Sequence, residues 1–307
     1  MQTASPTAPA QRLTANEFAL WQDFVREHCG THFTTARQHF LEARLRERMA
    51  TLNLQGYTEY FNHLQHSDPL GSEWQQLQIV LLNHESSFFR HQPSFDALAK
   101  HVLPELRDRK LESGEQSINI WSAGCAGGQE IYSLAMQLAE CGFIRISNTT
   151  NAPATNAFAD AMSSSDEQWQ VQFLATDLDR QILQQTVTGS YRRFELRGLD
   201  DRYRLRYFDP TTDDTFQVKR SLRQRMKTDQ FDLLASHGST IPPQDVIFCH
   251  NVLIYFRQED RIRAVDRLCE RLNPGGFLFL GPAELLGHRP PGTQFVSLKD
   301  CLVYQRL

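Results

Sequence analysis

No apolar run in this chain of 307 residues approaches the ~20 residues that a membrane-spanning helix requires. The first residues lack a basic, then apolar, signal pattern, so the expected location is cytoplasmic. An excess of charge of one sign is missing too: 32 Lys and Arg stand against 36 Asp and Glu, a net charge of -4. That balance gives no bulk electrostatic case for nucleic acid or an anionic membrane as a partner. Cysteine is sparse and scattered (Cys29, Cys125, Cys141, Cys249, Cys269 and Cys301), with no C-x-x-C pair. A disulfide framework or a zinc site is therefore not expected, and no metal is. What remains is ordinary globular composition, 40% hydrophobic and 22% charged, in a chain long enough for two domains.

Residues 1–12, rich in Ala, Pro, Thr and Gln, read as a disordered tail. From 13 to 85 the pattern is helical throughout. Phe18, Trp21, Phe24 and Val25 fall at helical spacing, as do Leu41, Leu45, Met49 and Leu52, and Thr34 or Thr35 can cap the second helix. From 86 to 307 strands alternate with helices: Ser117–Ala123, Val171–Leu178, Val246–Cys249 and Phe277–Leu280 are strands, and Phe295–Leu298 with Leu302–Gln305 forms a closing hairpin. Such alternation predicts an α/β, Rossmann-like parallel sheet with an antiparallel edge at its C-terminal end. Two segments break the rhythm. The stretch 147–168 reads as a solvated loop insertion, and about 191–232, where charged and aromatic residues alternate, reads as a small inserted β-subdomain.

The most informative segment is Ile118-Asn119-Ile120-Trp121-Ser122-Ala123-Gly124-Cys125-Ala126-Gly127-Gly128-Gln129-Glu130. A buried strand enters a turn of small residues and then opens a helix, roughly from Gly128. Gly124, Gly127 and Gly128 leave backbone that a ligand can approach. A phosphate site would offer a Lys or Arg at this helix start; here Glu130 stands in the first turn, which suits a ligand carrying positive charge. Cys125 reads as a small residue that fits the turn rather than a nucleophile. In doubly wound sheets an acid after the second strand grips ribose hydroxyls, and Asp177 holds that place. It lies about 50 residues past the turn instead of the usual ~20, and the 147–168 insertion accounts for much of the excess. Asp179 is the more natural helix N-cap.

Four motifs then resemble one family. Leu82-Asn83-His84-Glu85-Ser86-Ser87-Phe88-Phe89-Arg90 is similar to the N-E-T-S-F-F-R signature of the chemotaxis-receptor methyltransferases, the CheR family. Trp121 to Ala135 resembles W-S-A-G-C-S-x-G-E-E-P-Y-S-L-A. Ala175-Thr176-Asp177-Leu178-Asp179 with Thr188-Gly189-Ser190-Tyr191 resembles A-T-D-I-D and S-G-x-Y. Asp245 to Phe256 resembles D-V-I-F-C-R-N-V-x-I-Y-F. Order and spacing agree from about residue 14 to the end. The sequence departs at His84 (family Asn), Ser86 (Thr), Gln129 (Glu) and His250 (Arg). His-Glu-Ser-Ser-Phe-Phe-Arg-His resembles the pilus chemosensory (PilK-like) branch.

The resemblance implies a class I methyltransferase sheet, S-adenosylmethionine as methyl donor, and glutamate side chains of a methyl-accepting chemoreceptor as acceptors. It implies cofactor contacts at His84, Ser86, Arg90, Gly124, Glu130, Asp177, Asp232, Leu233, His250 and Asn251. Arg90 can pair with the cofactor carboxylate, Glu130 with its ammonium group, and Asp177 with the ribose; Asp232, Leu233 and Asn251 can hold the adenine. Tyr255 and Arg90 are the candidates for orienting the acceptor, and Phe88 and Phe89 read as packing in the site wall. Arg37, Arg44 and Arg48, at i, i+7 and i+11 on the second helix, form a basic stripe that the resemblance assigns to the receptor helix. The enzyme is expected to act as a monomer, without nucleic acid or membrane insertion. Two rival readings stay open: a cofactor-holding sensor or scaffold without methyl transfer, and a methyltransferase for a small molecule.

Overall fold

The computed structural model describes residues 12–29, 33–67, 71–81, 86–146, 169–211, 214–235, 241–256, 258–284, 287–299 and 301–307. His84, nearly all of the 1–12 tail and the 147–168 insertion lie outside them. Two compact units emerge, Met1–Asn83 with Ile254–Gln258, and His84–Leu253 with Glu259–Leu307. Among the described residues no helix is long and apolar enough to cross a membrane.

The first unit holds α1 (Ala15–Cys29), α2 (Gln38–Leu52), α3 (Tyr57–Asn62) and α4 (Ser72–Leu81). Its core is aromatic: Trp21, Phe24, Phe61 and Trp74 meet edge to face at 5.1–5.8 Å, the arrangement that ring quadrupoles favour. Neither Thr34 nor Thr35 caps α2. Thr34 precedes a 3-10 turn, Thr35–Arg37, without a side-chain cap bond, and α2 starts only at Gln38. Glu42 does the anchoring instead. Burial alone would raise its carboxyl, but the Leu13 backbone N–H, the Gln38 side-chain amide and the His39 ring together hold it below the usual range.

In the second unit α5 (Gln92–Ala97) and α6 (Leu103–Glu112) lead to β1 (Ser117–Ala123) and α7 (Gln129–Glu140). Next come β2 (Gln170–Asp177), α8 (Arg180–Thr188), β3 (Ser190–Arg192), α9 (Asp201–Tyr207), β4 (Phe208–Pro210), β5 (Thr215–Val218), α10 (Arg220–Arg223) and β6 (Met226–Gln230). The chain closes with β7 (Gln244–Cys249), α11 (Gln258–Glu270), β8 (Leu272–Leu280), β9 (Thr293–Leu298) and β10 (Cys301–Arg306). The main sheet has the order β6-β2-β1-β7-β8-β10-β9. The first five strands run parallel, and the last two are antiparallel. Every residue of β7 is buried, as a central parallel strand covered on both faces demands.

This order places the switch point between β1 and β7, where open α/β sheets hold ligands beyond the carboxyl ends of their strands. α7 packs on β1 and β2, and α8 on β2 and β6. The inserted β-subdomain is narrower than 191–232. Its three strands, β3-β5-β4, span 190–218, while β6 is the edge strand of the main sheet. Strand β6 reads Met-Lys-Thr-Asp-Gln because it pairs on one side only and leaves its other edge to water.

Candidate functional site

A shallow cleft, open to solvent, lies at that switch point. Its wall brings together Ser86, Arg90, Gly124, Glu130, His250 and Asn251, with Ser87, Phe95 and Cys125 beside them. Three loops build it, and each contains a non-glycine residue at left-handed φ: Phe89 (51°), Ala126 (47°) and Asn251 (61°). Such conformations cost of order 1–3 kcal/mol each and collect where a site needs a particular backbone path.

Named bonds hold those paths. The N–H groups of Gly124 and Cys125 both donate to Thr176 O, at 2.8 and 2.9 Å. The Ala126 N–H donates to Asp177 Oδ2 at 2.8 Å, and the Asp179 N–H to Asp177 Oδ1 at 3.0 Å. The buried Tyr191 hydroxyl donates to Gly127 O at 2.7 Å, so the subdomain's first strand pins the glycine-rich turn. Phe89 N–H donates to Ser133 Oγ at 2.9 Å, tying the Ser86–Arg90 loop to α7.

The glycines' bare backbone is occupied by the protein itself. A Cβ on Gly124 would come within 2.3 Å of Val252 Cγ2, and one on Gly128 within 2.6 Å of Thr186 Oγ1. Gly124 and Gly128 also stand at φ of 77° and 90°. The turn is thus a close-packed corner whose exposed edge faces the cleft. Burial, followed by the neighbouring Asp177 and Glu130 charges, pushes the Cys125 thiol well above its ordinary range, which leaves it an inert filler.

Glu130 projects from the first turn of α7. Its Oε1 accepts from Ser122 Oγ at 2.7 Å, and its Oε2 lies 3.0 Å from His250 Nδ1. The other ring nitrogen of His250 lies 3.2 Å from Ser94 Oγ. Both imidazole nitrogens are therefore engaged within the protein, while His250 itself lines the cleft. Arg90 is exposed on the cleft wall.

Asp177 does not line the cleft. It sits 7% exposed one hydrogen bond behind it, under Ala126. Asp179 is the N-cap of α8, accepting from Gln181 N–H at 2.7 Å. Asp232 and Leu233 follow β6, the former exposed and the latter buried. Asp232 Oδ1 accepts from Leu234 N–H at 2.8 Å, and Arg267 donates to Leu233 O at 2.9 Å. Phe88 meets Tyr191 and Phe208 edge-on at 5.0 and 5.5 Å, and Phe89 meets Phe95 at 4.9 Å, so both rings pack. The backbone of Tyr255 lies in a 3-10 turn, Leu253–Tyr255, beyond the end of β7 rather than on a strand end.

In the helical unit the basic stripe is broken. Arg48 makes a bidentate pair with Glu73, Nε to Oε1 at 3.0 Å and Nη2 to Oε2 at 2.6 Å, and Tyr60 donates to the same carboxylate at 2.6 Å. With 14% of its side chain exposed, Arg48 is a structural cation and not a receptor contact. At about 100° per residue it projects only about 20° from Leu41, whereas Arg44 projects about 60° away. Arg37 and Arg44 do reach the surface, each over a face of Phe40 at 5.2 and 5.1 Å.

One functional element escaped the motifs. Glu284, with no exposed surface, accepts the N–H of Asn251 and Gly281 on Oε2 and that of Leu253 on Oε1, at 2.6–2.8 Å. It holds the loop that carries Asn251. Its signal in the sequence is a lone acid between Ala283 and Leu285-Leu286, where nothing but a buried partner accounts for a charge.

The chain matches the family model for the CheR methyltransferase all-alpha domain over residues 16–81. It matches that for the CheR methyltransferase SAM binding domain over 84–155 and 152–301. It is 30% identical over 290 residues to "Chemotaxis protein methyltransferase Cher2" of Pseudomonas putida, covering 94% of this chain and 97% of that protein. Identity to "Chemotaxis protein methyltransferase 1" of Pseudomonas aeruginosa is 31% with the same coverage. To the "Chemotaxis protein methyltransferase" of Escherichia coli it is 28% over 292 residues, 94% and 91% of the two chains.

Proposed function

Because the chain belongs to the CheR methyltransferase family, we propose that it binds S-adenosylmethionine in the cleft around Glu130 and methylates glutamate carboxylates of a methyl-accepting chemoreceptor. The observation that carries this reading is the donor set of the cleft. One carboxylate (Glu130), one guanidinium (Arg90) and the two serines Ser86 and Ser87 share a wall, which is the complement of a zwitterionic amino-acid head. The fit is therefore good.

Arg90 pairs with the carboxylate of that head, and Glu130 takes its ammonium group and offsets nearby positive charge. Asp177 ends β2, and Asp232 and Leu233 follow β6, the two strands that step outward from β1 on one side, an order that suits a ribose and then an adenine extending from the head. Asn251 follows β7 on the other side of β1 and lines the cleft itself. When bound, S-adenosylmethionine supplies an electrophilic methyl group on a cationic sulfur. A glutamate, with an ordinary pKa near ~4.3, is already ionised at neutral pH and needs no general base. The protein's contribution is alignment and the removal of water from the nucleophile, with Tyr255 and Arg90 orienting the acceptor. Arg37 and Arg44 meet the receptor helix. The enzyme works in the cytoplasm as a monomer, and its His84–His91 motif supports the pilus chemosensory branch.

Calorimetric titration with S-adenosylhomocysteine tests the cofactor half of this reading. Saturable one-to-one binding that Arg90→Ala and Glu130→Ala each weaken is the expected result; no heat of binding in the folded protein refutes it.

A further inference from the structure

Four side chains beside the cleft form one hydrogen-bonded line. His91 Nδ1 lies 2.8 Å from Ser94 Oγ, Ser94 Oγ 3.2 Å from His250 Nε2, and His250 Nδ1 3.0 Å from Glu130 Oε2. Ser94 is fully buried, and the side chains of His250 and Glu130 are 5% and 14% exposed.

The chemistry of the donors gives the line a direction. A carboxylate only accepts, so the hydrogen between His250 and Glu130 sits on Nδ1. In a neutral imidazole Nε2 is then an acceptor, and the partner that fills it is the single proton of the Ser94 hydroxyl. With that proton committed, Ser94 Oγ accepts from His91 Nδ1. A second proton on His250 would go to Nε2 and reverse the line. Ser94 would then accept from His250 and donate to His91, whose hydrogen would move to its other nitrogen. The network thus has two arrangements that differ by one unit of charge beside Glu130.

We propose that Glu130 sets the tautomer of His250, that Ser94, backed by His91, supports it by filling Nε2, and that His250 in return positions Glu130 and gates the cleft by its charge. The neutral line leaves Glu130 a net anion, ready for an ammonium group. The protonated line makes His250 and Glu130 a neutral pair and weakens that attraction. This rests on the reading that the cleft takes the amino-acid head of S-adenosylmethionine. It also gives the family departure at His250 a physical meaning: an arginine is charged at every working pH, whereas an imidazole changes charge between about pH 5 and 8.

The titratable and charged groups facing His250, among the described residues, come from every element around it. Glu130 belongs to α7, His91 precedes α5, and Cys301 of β10 lies 3.6 Å from Ser94 Oγ. Arg90 shares the cleft wall, and Glu284 binds the next residue's N–H. Burial, then the charge of His250, holds His91 below the ordinary histidine range. That favours a neutral outer end of the line.

Binding of S-adenosylhomocysteine is measured by calorimetry from pH 5.5 to 8, in buffers of different ionisation heat. In parallel, imidazole 15N NMR of the whole protein reads the tautomers. Affinity at pH 5.5 is expected to be at least about fivefold weaker than at pH 8, the lower end of usual coupling between sites. Proton release should accompany binding on the acid side. His250→Arg flattens that dependence, and Ser94→Ala shifts its midpoint. NMR should show neutral His250 with its hydrogen on Nδ1. A wild-type pH dependence that survives His250→Arg, or a neutral His250 carrying its hydrogen on Nε2, overturns the proposal. The NMR measurement decides it in the wild type even if a variant fails to fold. Loss of binding at every pH refutes the cofactor reading instead, and leaves the tautomer test standing.

Discussion

Replacing Glu284 by glutamine keeps the shape of the side chain and removes one acceptor. Three backbone N–H groups, those of Asn251, Gly281 and Leu253, converge on its carboxylate at 2.6–2.8 Å, with no solvent to replace them. In the better orientation the amide oxygen keeps Asn251 and Gly281, and the NH2 group faces the Leu253 N–H, donor against donor. One bond to a charged acceptor is then lost, worth about 1.5–3 kcal/mol, and the desolvated N–H adds to the cost. The expected loss of stability is about 2–4 kcal/mol, a large share of the 5–15 kcal/mol typical of a folded protein. Because Asn251 sits at φ 61° next to this anchor, affinity for S-adenosylhomocysteine should fall as well. Urea unfolding gives the first quantity and calorimetry the second. A Glu284→Gln protein within about 0.5 kcal/mol of wild type, with unchanged affinity, would refute the claim that this carboxylate holds the loop.

Asp177→Ala should weaken binding of the same ligand by about 1–3 kcal/mol and also lower the melting temperature, since the Ala126 and Asp179 N–H groups lose their acceptor. Affinity equal to wild type would remove Asp177 from the ribose site. Charge reversal at Arg37 and Arg44 should cut receptor methylation while leaving cofactor affinity intact, and equal methylation would return both to the solvated surface. Glu73→Ala, which strands Arg48 and the Tyr60 hydroxyl, should cost about 3–5 kcal/mol in urea unfolding; a loss under about 1 kcal/mol would contradict a structural role for that pair. His91 binds its proton more weakly folded than unfolded. Its contribution is therefore fully present above the unfolded value near ~6.5 and is lost as pH falls through the lower folded one. Melting curves at pH 7.5 and 5.5 should show a smaller drop for His91→Gln than for wild type, and an equal drop would contradict the assignment.

Much of the fold is legible in the order of residues because strand and helix periodicity is local. Ser117–Ala123 is a strand as read, the small-residue turn follows it, and Asp179 caps α8 after β2. What escaped is set by partners far along the chain. Arg48 looks like one more cation in a stripe until Glu73 and Tyr60, brought beside it by α3 and α4, are seen to bury it. The glycine turn looks open until Val252 and Thr186 are seen to fill it. Strand β6 carries too little apolar character to announce itself, because an edge strand needs it on fewer sides. His250 reads as a substituted contact residue, and only Ser94, 156 positions away, shows that its second nitrogen is taken.

Transfer of label from S-adenosyl-[methyl-3H]methionine to the purified cytoplasmic domain of a chemoreceptor tests the central claim most directly. The account predicts incorporation on receptor glutamates, released as volatile methanol on mild alkali and abolished by Glu to Ala changes at the labelled positions. Tight cofactor binding with no transfer to any chemoreceptor domain, or label that withstands alkali, would contradict it.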